Sequence, residues 1–259
     1  MTRRDAYRAR LRTLRRWDDW LLQESGLPGP RANLELIAAV AEEGNEAFFQ
    51  HCLALDHPPP DGNTPQAFLI LCGIVGYGRL LAAGRADLLP ILRGYANDRR
   101  WRMREAVVLG LQELGAVDMP ALLALMEPWS RSGPFEQRAA AAALCEPKLL
   151  TNRAHAERVL ALLDSITASL SQIEYRKDAA CQALRKGLGY CWSVAVVAAP
   201  ASGKPLMERW LASPDPDIRW IMRENLAKKR LVRMDAAWVA QATQVLNGDR
   251  EPPRRSTAD

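Results

Sequence analysis

Apolar residues recur at three- and four-residue steps along most of the chain, and no alternating stretch indicates a strand. This spacing predicts an all-α protein. Helix breakers divide the pattern into pieces of about 10–20 residues, the length expected of paired helices. The clearest break is His57–Asn63, because its three consecutive prolines cannot continue a helix. We therefore expect an N-terminal helical cap over 1–56, a repeat region over 64–246 and a disordered tail over 247–259.

The cap begins with one predicted amphipathic helix that runs to the glycine- and proline-rich segment at 26–30. Residues 1–16 contain seven arginines and one acid, so they hold most of the net charge of +5 and leave the rest of the chain near neutral. This distribution disfavours a uniformly basic surface for nucleic acid. Three roles are open for the basic helix. Its apolar face covers the first repeat, or it contacts nucleic acid or an acidic protein, or it is an interfacial or targeting helix. Its apolar face consists of Tyr7, Leu11, Leu14 and Leu21.

From residue 101 onward, arginines recur with a period near forty residues. Trp101-Arg102, Tyr175-Arg176 and Ile218-Arg219 each place an arginine after a bulky residue at a predicted helix start, and Gln137-Arg138 is a poorer copy. The spacings between the four arginines are 36, 38 and 43 residues. A period near ~40, with one helical hairpin per period, is typical of HEAT and armadillo repeats. We expect the first, third and fourth arginines each to bond a backbone carbonyl or an acid of an adjacent repeat.

Asp98 and Asp215 each lie four residues before such an arginine, and the pattern Asp-x-x-(bulky apolar)-Arg is similar to the HEAT-repeat consensus. The resemblance covers about 64–232. It implies an α-solenoid, a right-handed superhelix of hairpins in which arginine and aspartate bridge neighbouring repeats. Gly187–Ser193 and Arg219–Leu226 also resemble bacterial HEAT-type proteins of no firm function, which are distantly similar to the HEAT-like bacterial DNA alkylation-repair glycosylases.

Trp101 and Glu105 lie one turn apart on a predicted helix, opposite its apolar face. The resemblance implies a catalytic pair of this kind, in which a tryptophan packs on the sugar. The carboxylate then stabilises positive charge as the glycosidic bond breaks. Glutamate stands here where the family has aspartate. In the alternative interpretation, Trp101 fills a seam between repeats and Glu105 pairs with a neighbouring arginine.

Candidate binding residues are the basic and aromatic side chains on the predicted second helices of the hairpins. On a helix from Ile218, three arginines fall within ~40° of one another and form a ridge that could meet an anion. The alternative is a solvated ridge with salt bridges between repeats. The candidate binding residues are Arg102, Arg185, Lys186, Arg219, Trp220, Arg223 and Arg230.

Other chemistry finds little support in the sequence. Five cysteines without a C-x-x-C disfavour a disulfide framework or a zinc ribbon and fit a reducing cytoplasm. Gly73–Gly78 has its glycines in the reverse of the dinucleotide-binding order, which disfavours a dinucleotide-binding loop. Glycines on a helix more often allow a neighbouring helix to pack closely. The possible zinc ligands in this chain are His51, Cys52, Asp56 and His57. His51 and Cys52 are adjacent on a predicted helix and point about 100° apart, so a zinc site is disfavoured. We expect a cytoplasmic protein with no metal, no cofactor, no secretory signal and no membrane span.

The expected function is that of a non-enzymatic scaffold whose concave groove binds a protein or peptide partner. The alternative is a DNA-binding protein of the alkylation-repair class, including a glycosylase that acts on cationic alkylated bases. The electrostatic potential of the groove separates the two, because a basic groove with exposed Trp101 and Glu105 favours the second.

Overall fold

The protein is all-helical, as the sequence predicts. A computed structural model describes residues 2–248, and within this range there are fifteen α-helices, one short 3₁₀ turn and no strand. The chain forms two compact units, of which the first ends at Leu125 and the second begins at Met126.

The first unit is built around one long central helix, α5, which packs against α3, α4 and α7. Among the described helices, α5 is the one that is long and apolar enough to cross a membrane, and 72% of it is buried, as in a core helix. The helices of the unit are α1 (Arg3–Thr13), α2 (Asp18–Glu24), α3 (Leu34–Glu43), α4 (Glu46–Ala54), α5 (Pro65–Ala82), α6 (Leu89–Ala96) and α7 (Trp101–Val117). The unit boundary falls within α8 (Met119–Trp129).

Glycines explain how closely α5 and α7 approach each other. A Cβ atom added at Gly78 would lie 2.1 Å from the Cα atom of Gly110, closer than side chains tolerate. Gly73–Gly78 is helical throughout, and its glycines allow close packing, which confirms that expectation.

The N-terminal helix is shorter than predicted. The chain leaves the helix at Leu14 and starts α2 only at Asp18, so one expected helix is two. The indole N–H of Trp17 donates to the Leu11 carbonyl at 3.0 Å, and the backbone N–H of Leu14 donates to the same carbonyl at 3.2 Å. Tyr7 and Leu11 are buried as predicted.

Several arginines of α1 are paired within the first unit. Arg8 forms ion pairs with Glu42 and Glu43 of α3 at 2.9 and 2.7 Å, and Arg12 pairs with Glu43 at 2.7 Å. These contacts, together with the buried face of α1, favour the interpretation that the basic helix covers its neighbours.

The second unit is centred on α11, which packs against α9, α10 and α13. Asn225 of α13 is fully buried and links the two helices, because its side chain bonds Ser193 N and the Leu188 carbonyl of α11. The helices after α8 are α9 (Pro134–Leu144), α10 (Arg153–Leu170), α11 (Ala179–Ala198), α12 (Pro200–Leu211), α13 (Pro216–Leu226), α14 (Lys229–Met234) and α15 (Ala236–Gly248).

Two predictions of helix register in the second unit are wrong. Arg176 does not open a helix, because the side chain of Asp178 caps α11 and the helix starts at Ala179. The helix from Ile218 does not reach Arg230, because α13 ends at Leu226 and the extended backbone at Lys228 starts α14.

The predicted regions do not coincide with the two units. Segment 57–63, the expected boundary between cap and repeats, lies inside the first unit. Of the predicted tail, Asn247 and Gly248 end α15, and the remainder lies outside the described residues. The division into cap, repeats and tail stays a prediction.

Candidate functional site

A cavity of about 340 Å³ in the first unit is lined by the loop before α3 and by residues of α3, α5 and α7. Its inner wall includes the buried side chains of Ile37 and Leu71. Leu34 and Trp101 also line it, and they are 54% and 53% exposed. The mouth of the cavity therefore exposes two large apolar side chains to solvent.

The first turn of α7 brings three predicted residues to this cavity. Trp101 is the first residue of the helix, and Arg102 and Glu105 also line the cavity. The helix start is held by Arg100, which forms ion pairs with Asp56 at 2.7 Å and Asp98 at 2.6 Å. Burial raises the pKa of Asp98, but the hydrogen bonds from Arg100 outweigh it and leave that pKa below its usual value.

Arg102 is a buried cation in the cavity wall. Its side chain lies over the Trp101 ring, with the guanidinium carbon 4.4 Å from the ring centroid, and the residue is only 6% exposed. Nη2 donates to the Gly29 carbonyl at 2.6 Å and to Asn63 Oδ1 at 2.9 Å. Among the described residues no carboxylate forms an ion pair with it, and burial lowers its pKa.

The exposure of Trp101 corrects one interpretation of the sequence. A ring that is 53% exposed does not fill a seam between helices. Glu105 is half-buried in the cavity wall, and Arg31 is an exposed second cation beside it. The ionisable residues that line the cavity therefore carry one positive charge in excess.

The candidate binding residues near Trp220 belong to the second unit. The Arg185 guanidinium lies 3.7 Å from the Trp220 ring centroid, and its Nε atom pairs with Asp217 at 2.7 Å. Arg176 pairs with Asp215 at 2.6 Å. Lys186 is exposed and forms no ion pair with any described residue. These arginines are thus engaged by acids of their own unit.

The predicted ridge of three arginines does not form as one helix face. Arg219 donates to the Leu246 carbonyl, and Arg223 is half-buried beside a smaller cavity of about 240 Å³. Arg230 lies on α14 and donates to the Tyr190 hydroxyl at 2.6 Å. Arg102 and Arg219 each bond a backbone carbonyl, and Arg176 bonds an acid. That these acceptors belong to adjacent repeats stays a prediction.

The residues considered as metal ligands have other partners. His51 pairs with Asp18 at 2.7 Å, and Asp56 binds Arg100. Cys52 is buried, and burial raises the pKa of its thiol, so it is a poor ligand and nucleophile. In the described part of the chain, no three His, Cys, Asp or Glu side chains are grouped as they are around a metal ion.

Comparison with known proteins identifies no relative. No family model, curated protein or solved structure matches the chain. The cavity is therefore interpreted from its own geometry, and the likeness to HEAT repeats stays a prediction.

The opposite wall of the cavity was not predicted. Arg31 and Leu34 lie about seventy positions before Trp101, and nothing in their local sequence pairs them with α7. The one local signal is Leu34 itself, an apolar first residue of α3 directly after the N-cap Asn33.

Proposed function

We propose that the protein is a non-enzymatic helical-repeat scaffold that binds a segment of a protein partner at the cavity of the first unit. The observation that carries this proposal is the pair of half-exposed apolar side chains, Leu34 and Trp101, at a cavity whose wall combines apolar side chains with two arginines and one glutamate. Tryptophan and arginine dominate the energetically important positions of protein interfaces, and Trp101 and Arg102 stack on each other here. A cavity of about 340 Å³ is small for a ligand site and suits one or two side chains.

The arrangement of hairpins as an α-solenoid is part of the proposal. Side-chain bonds across 39 residues recur in both units, between Arg85 and Glu46, Arg102 and Asn63, and Arg176 and Asp215. Separations near forty residues are what stacked hairpins of that length would produce. Other side-chain bonds between helices span shorter or longer separations, such as 25 residues for Trp192 and Thr167 and 46 for Trp210 and Asp164. The recurrence in both units supports repeats in which one hairpin is bonded to the next.

DNA glycosylase activity is the second candidate, because Trp101 and Glu105 line the same cavity at the expected spacing. Electrostatics disfavour it. A cationic alkylated base would lie among two cations, Arg31 and Arg102, and one acid, and like charges repel. An uncharged or anionic group suits this wall better.

Peptide selection tests the proposal. A displayed library of random peptides is selected on the full-length protein, and the retained peptides are measured by calorimetry. We expect Trp101→Ala and Leu34→Ala to weaken binding about tenfold or more. Tyr175→Ala is the matched control, because Tyr175 is a 75% exposed aromatic residue of the second unit. Equal affinities for all variants would contradict the proposal.

The second candidate has a separate test. Release of an alkylated base from duplex DNA by the natural protein, together with loss of release in Glu105→Gln, would establish glycosylase activity and overturn the scaffold. We expect no release by either protein.

A further inference from the structure

The hydrogen-bonding capacity of Arg102 is only partly used. A guanidinium carries five N–H donors. Nη2 donates to Gly29 O and Asn63 Oδ1, whereas Nε is buried without a partner. Nη1 has no acceptor among the described residues. Nε is thus a buried donor without an acceptor, and Nη1 is a donor that remains open to solvent or to a ligand.

The charge of Arg102 is also uncompensated, unlike that of its neighbour. Arg100, two residues earlier, meets Asp56 and Asp98. Arg102 meets a carbonyl, an amide oxygen and the face of Trp101, all of them neutral. Buried charges are normally paired, because removal from water costs several kcal/mol per ion. An anion bound at the cavity would supply the missing partner.

The residues that line the cavity determine the size and charge of an anion that would fit. Arg31 and Arg102 against Glu105 leave one positive charge in excess, which matches a monoanion such as a carboxylate better than a phosphate of nearly two negative charges. A carboxylate oxygen can accept from Nη1, the guanidinium nitrogen that no described residue engages. Leu34, Ile37 and Trp101 line the same small space, so an apolar group must be joined directly to the carboxylate.

We propose that the cavity binds the C-terminal residue of a partner polypeptide, with its apolar side chain on Leu34 and Trp101 and its terminal carboxylate on Arg102. In a terminal residue both groups are attached to one Cα atom, which lets them share a cavity of about 340 Å³. In an internal segment, by contrast, the carboxylate of an aspartate or glutamate and the apolar side chain would belong to two different residues. The inference rests on the proposed function and names the part of the partner that is recognised.

The experiment compares matched peptides. Two pools of short random peptides that end in leucine, phenylalanine or valine, one with free carboxylates and one with C-terminal amides, are passed over immobilised full-length protein. Retained sequences are then measured by calorimetry in both forms. We expect the free acid to bind about tenfold more tightly than the amide to the natural protein and to Arg176→Met, the control for loss of an acid-paired arginine. With Arg102→Met, the two forms should bind equally.

A second variant guards against misfolding of Arg102→Met. Ala32→Trp fills the cavity without changing Arg102 and should abolish binding of both forms while the circular dichroism spectrum stays helical.

Equal binding of acid and amide to the natural protein would overturn the inference, and the proposed function would stand if that binding still required Trp101. If neither pool is retained, both proposals fail. If N-acetyl-phenylalanine binds as tightly as the peptide acids, the ligand is a small free acid and the polypeptide assignment is wrong.

Discussion

The two units use the same stacked arginine and tryptophan in different ways. In the second unit, Arg185 lies on Trp220 and pairs with Asp217. In the first unit, Arg102 lies on Trp101 and meets only neutral acceptors. The presence of an acid partner therefore distinguishes an arginine that stabilises the fold from an arginine that is available to a ligand. A bulky residue followed by arginine marks a recurring position in the chain but does not determine its role.

The difference has an energetic consequence. Removal of one member of a buried pair leaves the other uncompensated, which destabilises the fold. The acceptors of Arg102 are different, because Asn63 is exposed and Gly29 is half-buried, so water can replace the lost bonds. We expect stability to depend strongly on the polar contacts of the second unit and weakly on Arg102.

The largest effect is expected at Asn225. Its side chain bonds Ser193 N at 2.7 Å and the carbonyls of Leu188 and Ile221 at 2.8 Å, all in a fully buried position. Asn225→Ala should lower the free energy of unfolding by about 3 kcal/mol, because buried groups lose partners that water cannot replace. Urea unfolding measures this, with the exposed Gln244→Ala as control. A change as small as the control's would show that the contact between α11 and α13 does not depend on Asn225.

A smaller effect is expected at Asp215. Asp215→Asn keeps a side chain able to cap α13 but removes the negative charge beside Arg176. We expect a loss of about 1–2 kcal/mol in the free energy of unfolding. A double-mutant cycle with Arg176→Met isolates the pair, and additive effects of the two substitutions would refute the coupling.

The smallest effect is expected in the pH dependence of stability that comes from the contacts of Glu43 with α1. Hydrogen bonds from Arg12, and secondarily from Arg8, hold the pKa of Glu43 below its ordinary value of 4.5. A lowered pKa in the folded state contributes stability that is present above the ordinary value and is lost as the pH falls through the lowered one. The gap in urea midpoint between the natural protein and Glu43→Gln should narrow from about pH 6 to about pH 3.

Glu35→Gln is the control for this titration. Glu35 is exposed on the same helix, α3, and forms no ion pair with a described residue. A constant gap for Glu43→Gln across the pH range would show that the contacts between Glu43 and α1 do not contribute through charge.

Local patterns predicted the helices and one wall of the site. The spacing of apolar residues indicates an all-α chain, and a separation of four residues places Trp101 and Glu105 on one helix face. The break between α1 and α2 was missed because the apolar spacing of Leu11, Leu14 and Leu21 continues across it. The bond from the Trp17 indole to the Leu11 carbonyl, which lies at the break, leaves no trace in periodicity.

The decisive property of the site was beyond local reasoning. Arg102 bonds Gly29 across 73 residues, and its lack of an acid depends on which distant side chains fold beside it. Arg176 has the same local pattern in the sequence, yet Asp215 lies next to it. Periodicity locates such arginines but does not identify their partners.

Unfolding of two matched variants, Arg102→Met and Arg176→Met, tests most directly whether Arg102 serves a ligand rather than the fold. Methionine keeps much of the volume of either side chain and removes the charge. We expect Arg176→Met to lower the free energy of unfolding by about 1–2 kcal/mol, because Asp215 loses its partner. Arg102→Met should change it by less than about 0.5 kcal/mol, because no acid is left unpaired. A loss for Arg102→Met as large as that for Arg176→Met would show that Arg102 serves the fold, and would contradict its role in binding.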